Sequence, residues 1–321
     1  MTLLRILALA AAVLGPALPA AAALADPTQR CRDLIDKVAY AAVGRPGEDG
    51  RGAVEEPAVG TVTPLGETGC RYTDVLVGGS VAMGGGWSPQ WKVETLVLDR
   101  IDFDRYDAGR LPLTLSIRAD GVRTYYGRRM PADIAYQLRL LQAPLGIALD
   151  YSYDPSADVL TVERFSFGND RIGHLSATAE LAGLNPERID PARPSGGGAL
   201  SAVSLKALTV DFDNRGMFEI YALLPLLKLL PGGREDPETA VTTAKARAAA
   251  GLALLTAAGV PEPTVAALGR FIEAMPQPRG PLHLALAPQP PVAVVEIAPA
   301  SSGDAAGLSA LLKRLNLTAS Y

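Results

Sequence analysis

Hydrophobic and polar residues alternate over long stretches of the chain after Gly60, and this period of two is typical of β-strands that bury one face. The clearest examples are LPLTLSI at 111–117 and HLSATAEL at 174–181. In the second stretch, Ala177 and Ala179 place small side chains on the apolar face, which lets another layer of structure approach closely. Both stretches predict half-buried strands of an antiparallel sheet.

A three-residue motif occurs three times: an apolar residue, a polar residue and then phenylalanine. A glycine follows each phenylalanine after four or six residues. The copies are Ile101-Asp102-Phe103, Phe165-Ser166-Phe167 and Val210-Asp211-Phe212. Another apolar stretch comes after each glycine. A loose internal repeat of this kind indicates one supersecondary unit used several times. We therefore predict three antiparallel hairpins of one sheet.

The pattern is helical rather than alternating near the start of the chain. Asp26-Pro27 is typical of a helix N-terminus, and apolar residues then recur at helical spacing until Gly44. Residues 44–60 are rich in glycine, proline and charge, which predicts a mobile loop. We predict three parts: a signal peptide at 1–25, an N-terminal helix with this loop at 26–60, and an antiparallel sheet domain at 61–321.

The sheet domain contains a predicted helical insertion at 217–275. Phe218–Leu230 is almost wholly apolar but is broken by Pro225, and Asp236-Pro237-Glu238 starts a further helix. Alternating leucines and valines after the insertion, up to Leu317, predict a return to strands. Antiparallel strands with helices inserted as one block indicate an α+β fold. We predict a curved antiparallel β-sheet of hairpin repeats with the helical block packed on one face.

The first 25 residues have the pattern of a secretory signal peptide. Arg5 precedes an apolar run at 6–14, and Ala23-Leu24-Ala25 offers a cleavage site. We predict cleavage before Asp26 and a periplasmic or secreted mature chain. The alternative is an uncleaved membrane anchor, which the short, proline-broken run disfavours. No later stretch reaches the ~18 uncharged apolar residues of a spanning helix.

The charge of the chain gives no indication of nucleic-acid binding. The net charge is −4, and the arginines are scattered rather than gathered into a basic block. A weakly acidic chain also gives no attraction to anionic lipid head groups.

Cys31 and Cys70 are the two cysteines of the chain. An even count in an exported chain predicts one disulfide, here between the first helix and a strand that begins at Cys70. The alternative is a redox or metal-binding pair. The chain has no CxxC motif and no histidine near either cysteine, so the disulfide is the preferred interpretation.

Common enzyme signatures are missing from the sequence, including HExxH, GxSxG, a phosphate-binding loop and GxGxxG in a strand-to-helix setting. His174 and His283 could act as general bases near neutral pH. Both fall opposite the leucine face of a predicted strand, which favours exposed strand histidines instead. We predict a protein that is not an enzyme and has no cofactor and no metal site.

The densest acidic cluster is Asp99, Asp102, Asp104 and Asp107. Carboxylates so close together can bind Ca²⁺ in a loop, but their spacing is not that of the twelve-residue calcium loop. A charged turn at a strand end, which discourages edge-to-edge pairing, is the alternative that we prefer.

The signal peptide, the apolar-x-Phe…Gly hairpins and the leucine-rich block before the last strands resemble exported envelope proteins of Gram-negative bacteria. The similar families have YdgA-like and AsmA-like β-repeats, and the resemblance covers about residues 91–321. It implies a periplasmic protein with a curved antiparallel sheet, concerned with envelope lipids. It implies no catalytic residue.

The apolar excess of the helical block motivates a functional hypothesis. The leucines around Pro225 are more numerous than one buried helix face requires. Ligand pockets are also mostly apolar. We predict that an apolar or lipid ligand binds between the sheet and the helices. The predicted contacts are Phe218, Tyr221, Leu224, Leu227, Ala177 and Ala179. Two alternatives remain: a dry core filled by the same leucines, and a structural or interaction module that binds another envelope protein.

Overall fold

The computed structural model of the protein describes residues 26–43, 58–77, 90–125, 133–134, 136–137, 142–186, 202–223, 226–227, 236–296 and 305–321. The predicted signal peptide and nearly all of the predicted loop at 44–60 lie outside these residues. The described residues form antiparallel strands and helices, which confirms the predicted α+β class. The chain divides into two compact units. The first takes residues up to Ser152 and Pro186–Gly196, and the second takes Tyr153–Asn185 and Gly197–Tyr321.

The first unit contains a helix followed by strands that pair in chain order. Its elements are α1 (Pro27–Val43), β1 (Val62–Leu65), β2 (Gly69–Val77), β3 (Gln90–Asp99), α2 (Phe103–Asp107), β4 (Thr114–Tyr125) and most of β5 (Leu145–Asp154). Each described pair from β1 to β5 is antiparallel.

Helix α1 packs against β1 and β2, and its start agrees with the sequence. The Asp26 carboxylate accepts the Thr28 N–H at 3.1 Å, which satisfies one of the free donors of the first turn. Leu34 and Ile35 are buried, as expected for the apolar face of the helix. Cys31 and Cys70 lie at disulfide distance with their Cα atoms 5.7 Å apart, as predicted.

The first of the three predicted repeats is only partly right. β3 and β4 pair as a hairpin, but β3 ends at Asp99 because Arg100 has the left-handed φ of 61°. Asp102 then caps α2 by accepting the Arg105 N–H at 3.0 Å. Ile101-Asp102-Phe103 is therefore the entry to a short helix and not a strand end.

The strand predicted at 111–117 begins only at Thr114. The Leu111 carbonyl oxygen accepts two hydrogen bonds from the buried Arg105 guanidinium, at 3.1 and 3.0 Å, and Pro112 has no N–H to donate to a strand ladder. This part of the chain is consequently tied to α2. Leu115, which follows in β4, is fully buried as predicted.

The second unit combines strands with most of the helices. Its elements are β6 (Val159–Asn169), β7 (Gly173–Ala182), β8 (Ser204–Asn214), a π-helical turn (Phe218–Leu223), α3 (Pro237–Ala257), α4 (Glu262–Ala274), β9 (Gly280–Leu286), β10 (Val292–Ala293), α5 (Ala305–Leu315) and β11 (Thr318–Ser320). The strand order is β6-β7-β8-β9-β11, and β10 pairs with β8. All described pairs are antiparallel.

The sheet of the second unit has one apolar and one polar face, which follows from the alternation of the sequence. Residues paired across neighbouring strands share a face. One apolar row consists of Phe167, Leu175, Phe212 and Leu282. The next row, on the opposite face, consists of Ser166, Ser176, Asp211, His283 and Ser320.

Helix α4 lies beside β11, the last strand in the order. The Ala319 N–H donates to the hydroxyl of the buried Thr264 at 3.4 Å. The Arg270 guanidinium donates to the Tyr321 carbonyl oxygen at 2.7 Å. The outer edge of the sheet is thus bonded to a helix.

Two further predictions for the second unit are corrected by the structure. The second repeat is a hairpin of β6 and β7, but the third is not, because the apolar stretch after Gly216 forms the π-helical turn. Leu315–Leu317 was predicted as strand, but α5 continues to Leu315 and β11 starts at Thr318. The leucines of α5 recur at three- and four-residue spacing, which is a helical period.

Asn214 explains why the third repeat turns into a helix. Its side chain is fully buried, and its amide oxygen accepts the Gly216 and Phe218 N–H groups at 3.2 and 2.8 Å. Its amide nitrogen donates to the Pro278 carbonyl oxygen at 2.5 Å and to the Glu219 carboxylate at 3.1 Å. One side chain therefore holds the end of β8, the π-helical turn and the segment before β9.

Asn214→Asp is expected to lower the free energy of unfolding by about 3 kcal/mol, because it replaces two donated hydrogen bonds with a buried carboxylate that faces two acceptors. Urea unfolding at neutral pH measures the loss. Asn316→Asp is the control, since Asn316 is exposed and aspartate tolerates its left-handed φ of 49°. Equal losses in the two variants would contradict the assignment.

Candidate functional site

The predicted ligand residues Phe218 and Tyr221 both lie in the π-helical turn, where they make aromatic contacts. The Phe218 ring meets the Phe271 ring edge-on at 6.3 Å between centroids. The Tyr221 ring meets the Phe167 ring edge-on at 5.2 Å, and partial burial raises the pKa of the Tyr221 phenol. The two edge-to-face pairs join the π-helical turn to α4 and to β6.

The other predicted ligand residues are spread over the same unit. Ala177 and Ala179 are half-buried on the apolar face of β7, next to Val210 and Leu208 of β8. Leu227 is buried, and Leu224 lies outside the described residues. Contact of these residues with a ligand stays a prediction.

A cavity of about 450 Å³ lies elsewhere in the second unit, between the sheet and the helices. Its wall is formed by the turn at 258–261 between α3 and α4, by Ala285 and Ala287 at the end of β9, and by the segment 312–318 that joins α5 to β11. None of the six predicted ligand residues belongs to its described lining. This volume falls in the usual range of ligand pockets, roughly 300–1,000 Å³.

Two helices end beside the cavity, each at a residue with a left-handed backbone conformation. Helix α3 closes with Gly259 in the left-handed conformation, at φ 79°, a conformation that favours glycine. Ala258 and Gly259 add almost no side-chain volume to the wall. Helix α5 closes in the same way at Asn316, at φ 49°, since asparagine tolerates this conformation better than most residues.

Several carbonyl groups at both helix ends accept hydrogen bonds. At the end of α3, the Val260 N–H donates to the Leu255 carbonyl oxygen at 3.0 Å. At the end of α5, the N–H groups of Ala287 and Gln289 donate to the carbonyl oxygens of Leu315 and Arg314, at 3.1 and 3.2 Å. The cavity is therefore not lined by free backbone acceptors from these groups.

The wall is mostly apolar, and its polar groups are exposed. Val260, Leu312 and Leu317 supply hydrophobic surface with the alanines, while Lys313, Asn316 and Thr318 are exposed to solvent. The cavity thus opens to water on a polar side. Its described lining contains no imidazole, carboxylate or thiol.

The two histidines lie on the polar face of the second unit's sheet and are exposed, as predicted. His174 Nε2 is 3.1 Å from a carboxylate oxygen of Asp170. His283 Nδ1 is hydrogen-bonded to the Asp211 carboxylate across two neighbouring strands. Neither histidine belongs to the described lining of the cavity.

The acidic cluster of the first unit organises the chain after β3. Asp99 accepts the Arg100 N–H at 2.7 Å, Asp102 caps α2, and Asp107 lies 3.8 Å from the Arg30 guanidinium. These are the contacts of a charged turn. In the described part of the chain, no three histidine, cysteine, aspartate or glutamate side chains are grouped to hold a metal ion.

The sequence does not reveal the cavity. Its lining comes from three segments that are distant in the chain, and small residues near a helix end are common. A glycine followed by proline two residues later, as at Gly259 and Pro261, signals the end of a helix but nothing about the space beside it.

Residues 166–321 match the model of a family described as "Uncharacterized protein", and this region contains every residue of the cavity lining named above. No curated protein matches the chain. Across the described helices, none has the length and hydrophobicity required to cross a lipid bilayer.

Proposed function

We propose that this protein is an exported, non-enzymatic protein of the cell envelope that binds an apolar, lipid-like molecule in the cavity of its second unit. The cavity between β9, β11 and the helix ends is the observation that carries the proposal. Its volume of about 450 Å³ is roughly three times that of the ~150 Å³ cavity that accepts benzene, and its walls are mainly aliphatic.

Export is supported by the signal-like pattern of residues 1–25 and by the cysteine pair of the first unit. A disulfide between Cys31 and Cys70 suits an oxidising compartment such as the periplasm. The resemblance to exported β-repeat proteins points to the same compartment and to envelope lipids.

Ala287→Trp is expected to weaken uptake of a neutral fluorescent long-chain alcohol by roughly tenfold or more, because the indole ring and the ligand compete for one volume. Ala287 lines the cavity and is exposed, so the fold should tolerate the change. Ala257→Trp is the matched control, since Ala257 is also exposed and lies one residue before the lining turn. Fluorescence titration measures the affinity, and native mass spectrometry of gently purified protein detects a co-purifying lipid mass.

Three results would contradict this proposal in different ways. If wild-type protein takes up no probe and no ligand mass is detected, the binding function is excluded and an envelope interaction module is favoured. Loss of uptake in Ala257→Trp as well as in Ala287→Trp means that the effect is not local to the cavity. Loss in Ala177→Trp but not in Ala287→Trp places the ligand on the apolar sheet face, at the residues predicted from sequence.

A further inference from the structure

From the mouth of the cavity we infer that the ligand is a single-chain anionic amphiphile whose negative head group pairs with Lys313. This inference rests on the proposed function, and it adds the chemical class of the ligand. Lys313 is the one formally charged residue in the described lining. It stands in the last turn of α5, exposed to solvent beside the polar groups of Asn316 and Thr318.

The surroundings of Lys313 leave its ammonium group available. Within the described residues, the ion pairs of the second unit occupy other cations: Arg314 binds Glu296 at 2.7 Å, Arg279 binds Glu219 at 2.6 Å, and Lys206 binds Glu180. No described salt bridge uses Lys313. An ammonium without a carboxylate partner, at the rim of an apolar cavity, is a binding group for an anion with a hydrocarbon tail.

Hydrogen bonds weaken the opposition of the helix ends at the cavity to an anion. The C-terminus of a helix carries partial negative charge on its free carbonyl groups. Here Leu315 and Arg314 of α5 accept hydrogen bonds from Ala287 and Gln289, and Leu255 of α3 accepts one from Val260. These bonds reduce the negative potential at the mouth, and the described lining adds no carboxylate.

The volume suits a ligand with one chain. If a cavity of ~150 Å³ holds the six carbons of benzene, a cavity of about 450 Å³ holds about eighteen carbons. That matches one long alkyl chain. A diacyl lipid carries about twice as many chain carbons, so its second chain would remain in water.

The test compares head groups on one chain length. Dodecanoate, dodecyl phosphate, dodecanol and dodecylamine, each below its micelle concentration, are titrated against wild-type protein holding the neutral probe. Both anions are expected to displace the probe at lower concentration than dodecanol, and dodecylamine at higher concentration. The preference for anions should fall as salt is added, because the ion pair is exposed.

Lys313→Gln is expected to weaken dodecanoate binding by roughly three- to fivefold, the size of an exposed ion pair, and to leave dodecanol binding unchanged. Lys313→Arg should keep the preference for anions. Lys206→Gln is the matched control, because it removes the same charge from β8, outside the described lining.

The outcomes separate this inference from the proposed function. If all four amphiphiles bind equally in wild type and Lys313→Gln, and Ala287→Trp still abolishes uptake, the head-group assignment is overturned while the apolar site stands. Tighter binding of dodecylamine than of dodecanoate overturns it as well. If the probe binds but no amphiphile displaces it, the head-group assignment is overturned alone. If the probe never binds, the proposed function fails with it.

Discussion

Raising the pH above about 10 is expected to destabilise the protein by about 4 kcal/mol for each further pH unit. Three phenols of the first unit cause most of this loss: Tyr72, Tyr106 and Tyr151. Burial raises the pKa of each phenol well above its ordinary value. For Tyr106, the nearby carboxylate of Asp107 raises the pKa further.

The sign follows from proton binding. A phenol with a raised pKa keeps its proton in the folded protein at a pH where the unfolded chain has released it. Folded protein then binds more protons than unfolded protein, so stability falls as the pH rises. Below about pH 10 the phenols are protonated in both the folded and the unfolded protein, and their contribution to stability is fully present. Each phenol adds about 1.4 kcal/mol per pH unit to the slope.

Urea unfolding in steps of pH between neutral and strongly alkaline solution measures the slope. Tyr151→Phe is expected to reduce the slope by about a third. The variant should also lose about 1 kcal/mol of stability at neutral pH, because it lacks the hydrogen bond from the Tyr151 hydroxyl to the Pro112 carbonyl oxygen at 3.0 Å. Tyr136→Phe is the control, since Tyr136 is 52% exposed. A slope that does not change in Tyr151→Phe would contradict the burial of this phenol.

Removing both cysteines is expected to lower the free energy of unfolding by about 4 kcal/mol, because the cross-link closes a loop of about 40 residues in the unfolded chain. The double variant Cys31→Ala/Cys70→Ala avoids free thiols. Leu34, Ile35 and the hydrogen bond from the Tyr72 hydroxyl to the Cys31 carbonyl oxygen, at 2.8 Å, still hold α1 in this variant. The loss should therefore be global in urea unfolding, without a change in the folded contacts of α1.

Wild-type protein treated with reductant is the control, and its stability should match that of the double variant. Intact-mass measurement of periplasmic protein should give a chain that starts at Asp26 and is two hydrogens short of the reduced mass. Two thiols that react with an alkylating reagent after unfolding without reductant would contradict the disulfide.

The alternation of hydrophobic and polar residues predicted the strands that have one apolar and one polar face. It failed where a turn residue decides the structure. His174 and His283 are exposed because they alternate with leucines in β7 and β9. Ile101-Asp102-Phe103 has the same pattern as the other repeats. Its outcome differs because Arg100 is left-handed and Asp102 caps a helix, and neither fact is visible in the hydrophobic pattern.

The candidate site was less accessible to sequence reasoning than the fold. The apolar block around Phe218 was a strong signal, and it marked a segment whose aromatic rings pack against Phe167 and Phe271. The cavity depends instead on where α3 and α5 end relative to β9. Such a meeting of three chain segments is a property of tertiary packing, and local composition does not encode it.

The bonds between α4 and β11 also bear on self-association. A bare edge strand offers a row of donors and acceptors to which a second chain can add a strand, and this is a common route to aggregation. Here Thr264 occupies the Ala319 N–H and Arg270 occupies the Tyr321 carbonyl oxygen, so these two groups offer no template for a foreign strand. We therefore expect local opening of α4 to free these two groups for pairing with a foreign strand.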